Sequence, residues 1–265
     1  MLRSALLNVM IKAAQKASRA LKRDFGEVEH LQVSLKGPGN FVTAADRRAE
    51  ETLRQELQHA RPGYGFLGEE GGMHEGADKT HRWIVDPLDG TMNFLHGIPH
   101  FAISIALERE GTIVAGVVYN PVSDDLFTAE RGKGAFHNEQ RLRVAARKRL
   151  ADAVVACALP HPSRGDVELV HKEHRAVQDQ VAGLRRFGAA ALDLAWVAAG
   201  RLDAYWERGL SPWDMAAGIA LVREAGGFIT DLDGREAMLA TGGILAGNDA
   251  IHRELLGLLS VAGET

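Results

Sequence analysis

Cysteine is nearly absent: Cys157 is the only one in 265 residues. No intrachain disulfide can form, and no cysteine-based metal site can be built. Long apolar runs are missing too, none approaching the roughly 18 residues of a membrane-spanning helix. The apolar positions of the N-terminus are interrupted by Lys12, Lys16 and Arg19, with no small-residue cleavage site behind them. That stretch reads as a helix rather than a signal peptide, and the chain as a cytoplasmic protein with no membrane attachment. Net charge is only −4, with a pI near 6.3, so there is no global attraction to nucleic acid.

Several catalytic signatures are missing. There is no Gly-x-x-x-x-Gly-Lys-Ser/Thr and no Gly-x-Ser-x-Gly. A cysteine phosphatase needs arginine six residues after its nucleophile, and here that residue is Ser163. Asp86 and Asp89 stand one residue too far apart for the Asp-x-Asp-x-Thr of phosphoaspartyl enzymes. His96 and His100 have a metal-like spacing, but Gly97 and Pro99 keep them off one helical face. Internal repeats and low-complexity linkers are also lacking.

What remains is an ordinary water-soluble composition, 46% apolar and 25% charged, in a chain long enough to bury a substantial core. Leu2, Leu6, Val9, Met10, Ala13, Ala17, Ala20 and Leu21 recur at helical spacing and predict a first helix. A second follows Thr43, with Ala49, Leu53 and Leu57 inward and Pro62-Gly63 ending it. Between them "KGPGN", Lys36 to Asn40, predicts an irregular, movable loop. From Arg82 to about Val144 the pattern is of strands: "RWIVD", "FAISIALERE", "TIVAGVVYN", "DLFTAE", "GAFHN" and "RLRV". After Leu150 strands and helices alternate, with helices over 167–181, 189–200 and 212–225 and a last one to Leu259. An α+β half over residues 1–147 and an α/β half over 148–265 follow from this change of grain.

Acidic residues sit where the chain changes direction. "WIVDPLDGTMNF" ends a strand on Asp86 and Asp89, "FLGEEGG" carries Glu69 and Glu70, "VTAAD" carries Asp46 and "SPWDMAAG" carries Asp214. Taken singly, each has a local reading. Ser211 to Asp214 and Thr43 to Asp46 fit helix capping boxes, and Asp-Gly and Glu-Gly suit turns. Taken together, acids at strand ends and helix starts lie at sheet edges, where α/β folds assemble sites. Carboxylates converging there would repel by about 4 kcal/mol per pair at 4 Å and an effective dielectric of 20. A hard cation makes such a cluster reasonable, Mg²⁺ above all where phosphate completes the shell.

The motifs "GEE", "DPLDGTMNF" and "SPWDMAAG", in this order, resemble the inositol monophosphatase family, in particular its bacterial SuhB-type branch. "VTAAD", "GAAALDLAWVAAGRLDAYWE" and "GGFITDLDG" extend the resemblance along nearly the whole chain. It implies a layered αβαβα fold, usually a homodimer, that hydrolyses phosphate monoesters with two or three Mg²⁺ per site and is inhibited by Li⁺. By motif, Glu69, Asp86, Asp89, Asp214 and the main-chain carbonyl of Leu88 match metal ligands. Thr91 and Asp46 match the pair that orients the attacking water, with Glu69 beside them, and no covalent intermediate is implied. The main-chain N–H groups of Gly90 and Thr91 match a phosphate cradle. Glu207 and the main chain of Gly188, Ala189 and Ala190 match the contacts to substrate hydroxyls, and Lys36 matches a mobile-loop lysine. Glu207 favours inositol phosphate over fructose 1,6-bisphosphate, histidinol phosphate, NADP or adenosine bisphosphate. The same branch implies a different role as well, association with the transcription antitermination machinery that influences ribosomal RNA synthesis.

Overall fold

A first layer is made by two helices, α1 (Ala5–Phe25) and α2 (Ala44–Ala60). The structure is a computed structural model and describes residues 3–27, 33–37, 40–159 and 166–264, of which 33–37, 40–43 and 264 are described by backbone alone. Ser4 starts α1, its hydroxyl accepting from the Leu7 N–H at 3.1 Å, and Lys22 and Arg23 end it where cations suit the helix dipole. The buried apolar stripe is Leu7, Met10, Ile11, Ala13, Ala14, Ala17 and Leu21, which takes in Met10, Ala13, Ala17 and Leu21 of the stripe read from sequence and adds Leu7, Ile11 and Ala14. Leu6, Val9 and Ala20 lie on its half-buried border, and Leu2 is outside the described residues. Apolar residues on both borders of a wide stripe blur its centre in a periodicity count. The second helix follows the sequence reading, with Ala49, Leu53 and Leu57 fully buried.

Of the loop expected at 36–40, residues 36, 37 and 40 are in strands, β1 (Val33–Gly37) pairing antiparallel with β2 (Asn40–Thr43) and Gly37 lying opposite Asn40. The breakers limit strand length without preventing the flanking residues from pairing. Pro38 and Gly39, and the Lys36 side chain, lie outside what is described.

An eight-stranded sheet forms the second layer: β3 (Tyr64–Gly68), β4 (Gly72–His74), β5 (Asp78–Asp89), β6 (Ala102–Arg109), β7 (Thr112–Asn120), β8 (Asp125–Glu130), β9 (Gly134–His137) and β10 (Gln140–Arg141). Their order is β10-β9-β8-β7-β6-β5-β3-β4, and only β3 and β5 run parallel. Side chains alternate between two cores. Trp83 and Val85 of β5, with Ile103, Ile105 and Leu107 of β6, face α1 and α2, while Ile84, Ala102 and Ala106 face the other way. Burial of both faces explains why these strands read as unbroken apolar runs.

A short helix α3 (Thr91–Leu95) leaves β5, and α4 (Val167–Gln178) opens the second half. Helices α5 (Ala190–Ala198) and α6 (Pro212–Glu224) form the central layer, buried on all sides: Leu194, Val197, Ala217 and Leu221 meet strand residues of both sheets. Beyond them lies a five-stranded sheet of β11 (Val154–Cys157), β12 (Gly183–Arg185), β13 (Ala204–Glu207), β14 (Phe228–Thr230) and β15 (Ile244–Gly247), in the order β12-β11-β13-β15-β14. A one-turn α7 (Met238–Thr241) precedes β15. Outermost are α4 and α8 (Asp249–Glu264), closing a third core through Val177, Ile251, Leu255 and Leu259. The layers are α, β, α, β, α, the sandwich that the resemblance implied. No helix among the described residues is long and apolar enough to cross a membrane.

Candidate metal centre and active site

Three residues apart on a regular strand, Asp86 and Asp89 would point to opposite faces. They do not, because the ladder between β5 and β6 slips: Asp86 pairs with Ser104 and Asp89 with Ala102. Pro87 and Leu88 together oppose Ile103, a β-bulge, and Pro87 has no N–H to lose there. The bulge turns both carboxylates toward the central helices. The Leu88 N–H then donates to Asp86 Oδ1 at 2.9 Å, locking the turn. Gly90 follows at φ 90°, and a Cβ there would lie 3.0 Å from the His100 carbonyl and 3.1 Å from the Ala189 Cβ, so only glycine fits.

The second half brings its acid on α6. Asp214 sits in the first turn, and its Oδ2 accepts from the Ser211 N–H at 2.7 Å, so the capping reading holds. It also reaches the cluster. Ligand oxygens of Asp86, Asp89 and Asp214 lie within 4.8 Å of one another. The start of α6 is held to the large sheet by the Ser104 hydroxyl, which donates to the Trp213 carbonyl at 3.2 Å. Asp89 itself joins the halves, since its Oδ2 accepts from the Ala191 N–H of α5 at 2.8 Å.

The electrostatics of this cluster are those of a cation site. Burial, then the charges of Glu69, Asp89 and Asp214, hold the Asp86 carboxyl well above the usual carboxylate range. Burial and Asp214 do the same for Asp89, against the stabilising Ala191 N–H. Two buried carboxylates and the half-buried Asp214, with only oxygen to offer, fit a hard divalent cation, which would bring them back to the ionised state. Glu69 follows β3, half-buried, and belongs to the same field. Its turn is fixed from α2: the Glu50 carboxylate accepts from the Glu70 N–H at 2.8 Å and the Gly71 N–H at 2.6 Å. Gly68 makes room, because a Cβ there would fall 2.4 Å from Glu50 Oε2.

Beside the carboxylates, the Thr91 hydroxyl stands 3.2 Å from Asp46 Oδ1 and 3.1 Å from the Leu88 carbonyl, and donates to either. Asp46 is buried in the first turn of α2; the Thr43 side chain that would cap that helix is outside the described residues. On the other side Glu207 ends β13, half-buried, accepting from the Tyr205 hydroxyl. Burial pushes the Glu207 carboxyl up to about 8, with Asp214 and Asp193 adding to the shift and the Tyr205 hydrogen bond opposing it. Gly188 adopts φ 81° and Ala189 precedes α5. That wall is tied down by Asn93, whose amide donates to the carbonyls of His100 at 2.7 Å and Phe187 at 2.8 Å. Cys157 takes no part in the cluster; it is buried beside His174 at 3.1 Å.

Two residues in supporting positions escaped the sequence reading. Glu50 left a signal: with Asp46 four residues earlier, it places a second acid on the buried stripe of α2 that holds Ala49, Leu53 and Leu57. Asn93 left none beyond its place in "DGTMNF", since its partners are main-chain atoms distant in sequence.

Comparison with known proteins agrees with this geometry. The chain is 63% identical over 256 residues to an inositol-1-monophosphatase of Mesorhizobium japonicum, covering 97% of this chain and 96% of the relative. It is 44% identical to the Nus factor SuhB of Pseudomonas aeruginosa, over 95% of this chain and 94% of that one. The crystal structure of the extragenic suppressor protein suhB from Bartonella henselae superimposes with a TM-score of 0.94 at 57% identity, covering 97% of this chain and 98% of that one. The profile of the inositol monophosphatase family matches residues 2–262, and the chain belongs to that family.

Proposed function

We infer that this protein is a metal-dependent phosphate monoesterase whose substrate is an inositol phosphate, cleaved to the free alcohol and phosphate. The observation that carries the reading is the cluster of buried Asp86 and Asp89 with half-buried Asp214, drawn from both halves of the chain with ligand oxygens within 4.8 Å of one another. Asp86, Asp89, Asp214, Glu69 and the Leu88 carbonyl are its ligands, and Mg²⁺, two or three per site, is its metal. When bound, such ions supply Lewis acidity toward water and toward the phosphoryl oxygens. Thr91 donates its hydroxyl proton to Asp46 and so turns its lone pairs outward, orienting a water and passing its proton toward a carboxylate, Asp46 or Glu69. Water oxygen joins phosphorus, the ester P–O bond breaks, and the leaving oxygen takes a proton. Main-chain N–H groups of Gly90 and Thr91 hold the phosphate. Glu207 and the Gly188–Ala190 wall receive the ring hydroxyls. The 63% identity to an inositol-1-monophosphatase supports this substrate. A homodimer, Li⁺ inhibition and a cytoplasmic location belong to the same proposal.

The test is phosphate release from inositol 1-phosphate, fructose 1,6-bisphosphate and histidinol phosphate with Mg²⁺ titrated. Inositol 1-phosphate is expected to lead in kcat/KM by at least about tenfold. Release that ignores EDTA, or a different leader, would overturn the reading.

A second reading rests on the 44% identity to a protein called a Nus factor: the chain also binds the transcription antitermination machinery. Rescue of a deletion phenotype by catalytically dead Asp89→Asn supports it, and failure to rescue assigns the phenotype to catalysis.

A further inference from the structure

The elements that carry the acidic cluster run to the opposite end of the molecule, where their far ends line an open cavity of about 310 Å³. His81 lies five residues before Asp86 on β5, about 17 Å away at strand rise. Arg61 follows α2, about 22 Å along the chain from Asp46 at helix rise. The cavity is therefore separate from the metal centre.

Its composition is divided by chemistry. Leu6, Leu107 and Val114 supply an apolar floor. One wall is a pair of stacked rings, Tyr64 and His81, 4.4 Å apart and within 7° of parallel. Three arginines, Arg61, Arg109 and Arg131, complete the lining. None of the three has a carboxylate within 4.0 Å among the described residues, whereas neighbouring Arg82 is paired to Glu108 at 2.6 Å. The acid in the lining, Glu130, is already held by Lys133 at 2.6 Å and by the Ser4 hydroxyl. Asp78 serves His81, 2.8 Å from its ring nitrogen. An adjoining cavity of about 340 Å³ shares Val114 and Arg131 and adds Thr112, Arg223, Glu224 and Glu236, with Arg223 paired to Glu236 at 3.6 Å. In a chain of net charge −4, Arg61, Arg109 and Arg131 form a local concentration of positive charge that attracts an anion.

We propose that this cavity binds a nucleoside monophosphate. Arginine forks match a phosphate dianion, the stacked rings offer a flat face to a base, and the apolar floor covers what the base leaves exposed. The volume lies at the small end of ligand sites. Inorganic phosphate would leave the rings and floor uncovered, and so would a phosphorylated polyol. A polynucleotide backbone calls for a positive groove that continues across the surface, whereas the adjoining cavity brings in Glu224 and Glu236.

Calorimetric titration of the full chain in EDTA, where phosphate binding at the metal centre is suppressed, tests this with AMP, adenosine and inorganic phosphate. AMP is expected to bind saturably and at least about tenfold more tightly than either fragment. Arg61→Ala with Arg131→Ala, the first half-buried and the second exposed, is expected to weaken AMP at least tenfold with an unchanged circular dichroism spectrum. Asp89→Asn is expected to leave AMP affinity within about twofold. Absence of AMP binding, equal binding of inorganic phosphate, an unaffected arginine double variant, or loss of binding in Asp89→Asn would each overturn the proposal.

Discussion

The Asp214 carboxylate accepts from Ser211 at 2.7 Å and stands within 4.8 Å of Asp86 and Asp89, so the proposed metal ligand is also a helix cap. Asparagine at this position keeps a carbonyl oxygen for the cap and loses the charge. Asp214→Asn is therefore expected to retain its melting temperature within a few degrees, while kcat/KM falls by about 10²-fold or more, roughly 3 kcal/mol of transition-state stabilisation. A variant that melts early and keeps its activity would reduce Asp214 to a cap. Glu50 is the complementary case, a supporting residue that accepts from the N–H groups of Glu70 and Gly71. Glu50→Ala leaves both unpartnered and is expected to cost about 2–4 kcal/mol in urea unfolding and to raise the Mg²⁺ concentration needed for half-maximal activity. What sequence made legible at this scale was the set of acids in recurring motifs. A supporting residue such as Glu50 or Asn93 works through main-chain partners, and main-chain partners leave no mark in a string of side chains.

Elements follow the same division. Strands β7 and β8 coincide with the segments read from sequence because apolar side chains on both faces and flanking turn residues bound them sharply. Strands β3 and β4 were missed: "YGFLG" has two glycines and "GMH" three residues, so each depends on its neighbour for existence. The bulge at Pro87 and Leu88 was equally invisible, since register is a property of two strands. It is nevertheless what brings Asp86 and Asp89 to one side. Position of α6 against the sheet depends on absence of a side chain at Gly116, where a Cβ would fall 2.5 Å from the Ala217 carbonyl. Gly116→Ala is expected to push α6 outward, lowering stability by about 1–3 kcal/mol and weakening Mg²⁺ activation through displacement of Asp214. Equal midpoints in urea and unchanged Mg²⁺ titrations would show that the sheet yields there instead.

Across the whole molecule, the acids from both halves make stability a function of pH and metal together. The folded state holds protons on Asp86, Asp89 and Glu207 that the unfolded chain releases at ordinary carboxylate values; for Glu207 the folded value is about 8. Between an ordinary value of about 4.5 and 8 the native state binds more protons than the unfolded one, so the slope of stability against pH is negative. The contribution is complete below that window and is lost as pH rises through it. A divalent cation binds the deprotonated cluster and competes with those protons, so its stabilisation, RT ln(1 + [L]/Kd), grows over the same range. The metal-free protein is thus expected to melt at falling temperatures from about pH 5 to pH 8. The rise in melting temperature on adding Mg²⁺ is expected to be small at pH 5 and largest at pH 8. Glu207→Gln should flatten the metal-free slope while keeping a metal-dependent rise, because it removes a titrating group and no ligand. Calorimetric melts at three pH values, with and without Mg²⁺, read both slopes. A metal-free protein that gains stability across this window would mean that the carboxylates enter the folded state already ionised.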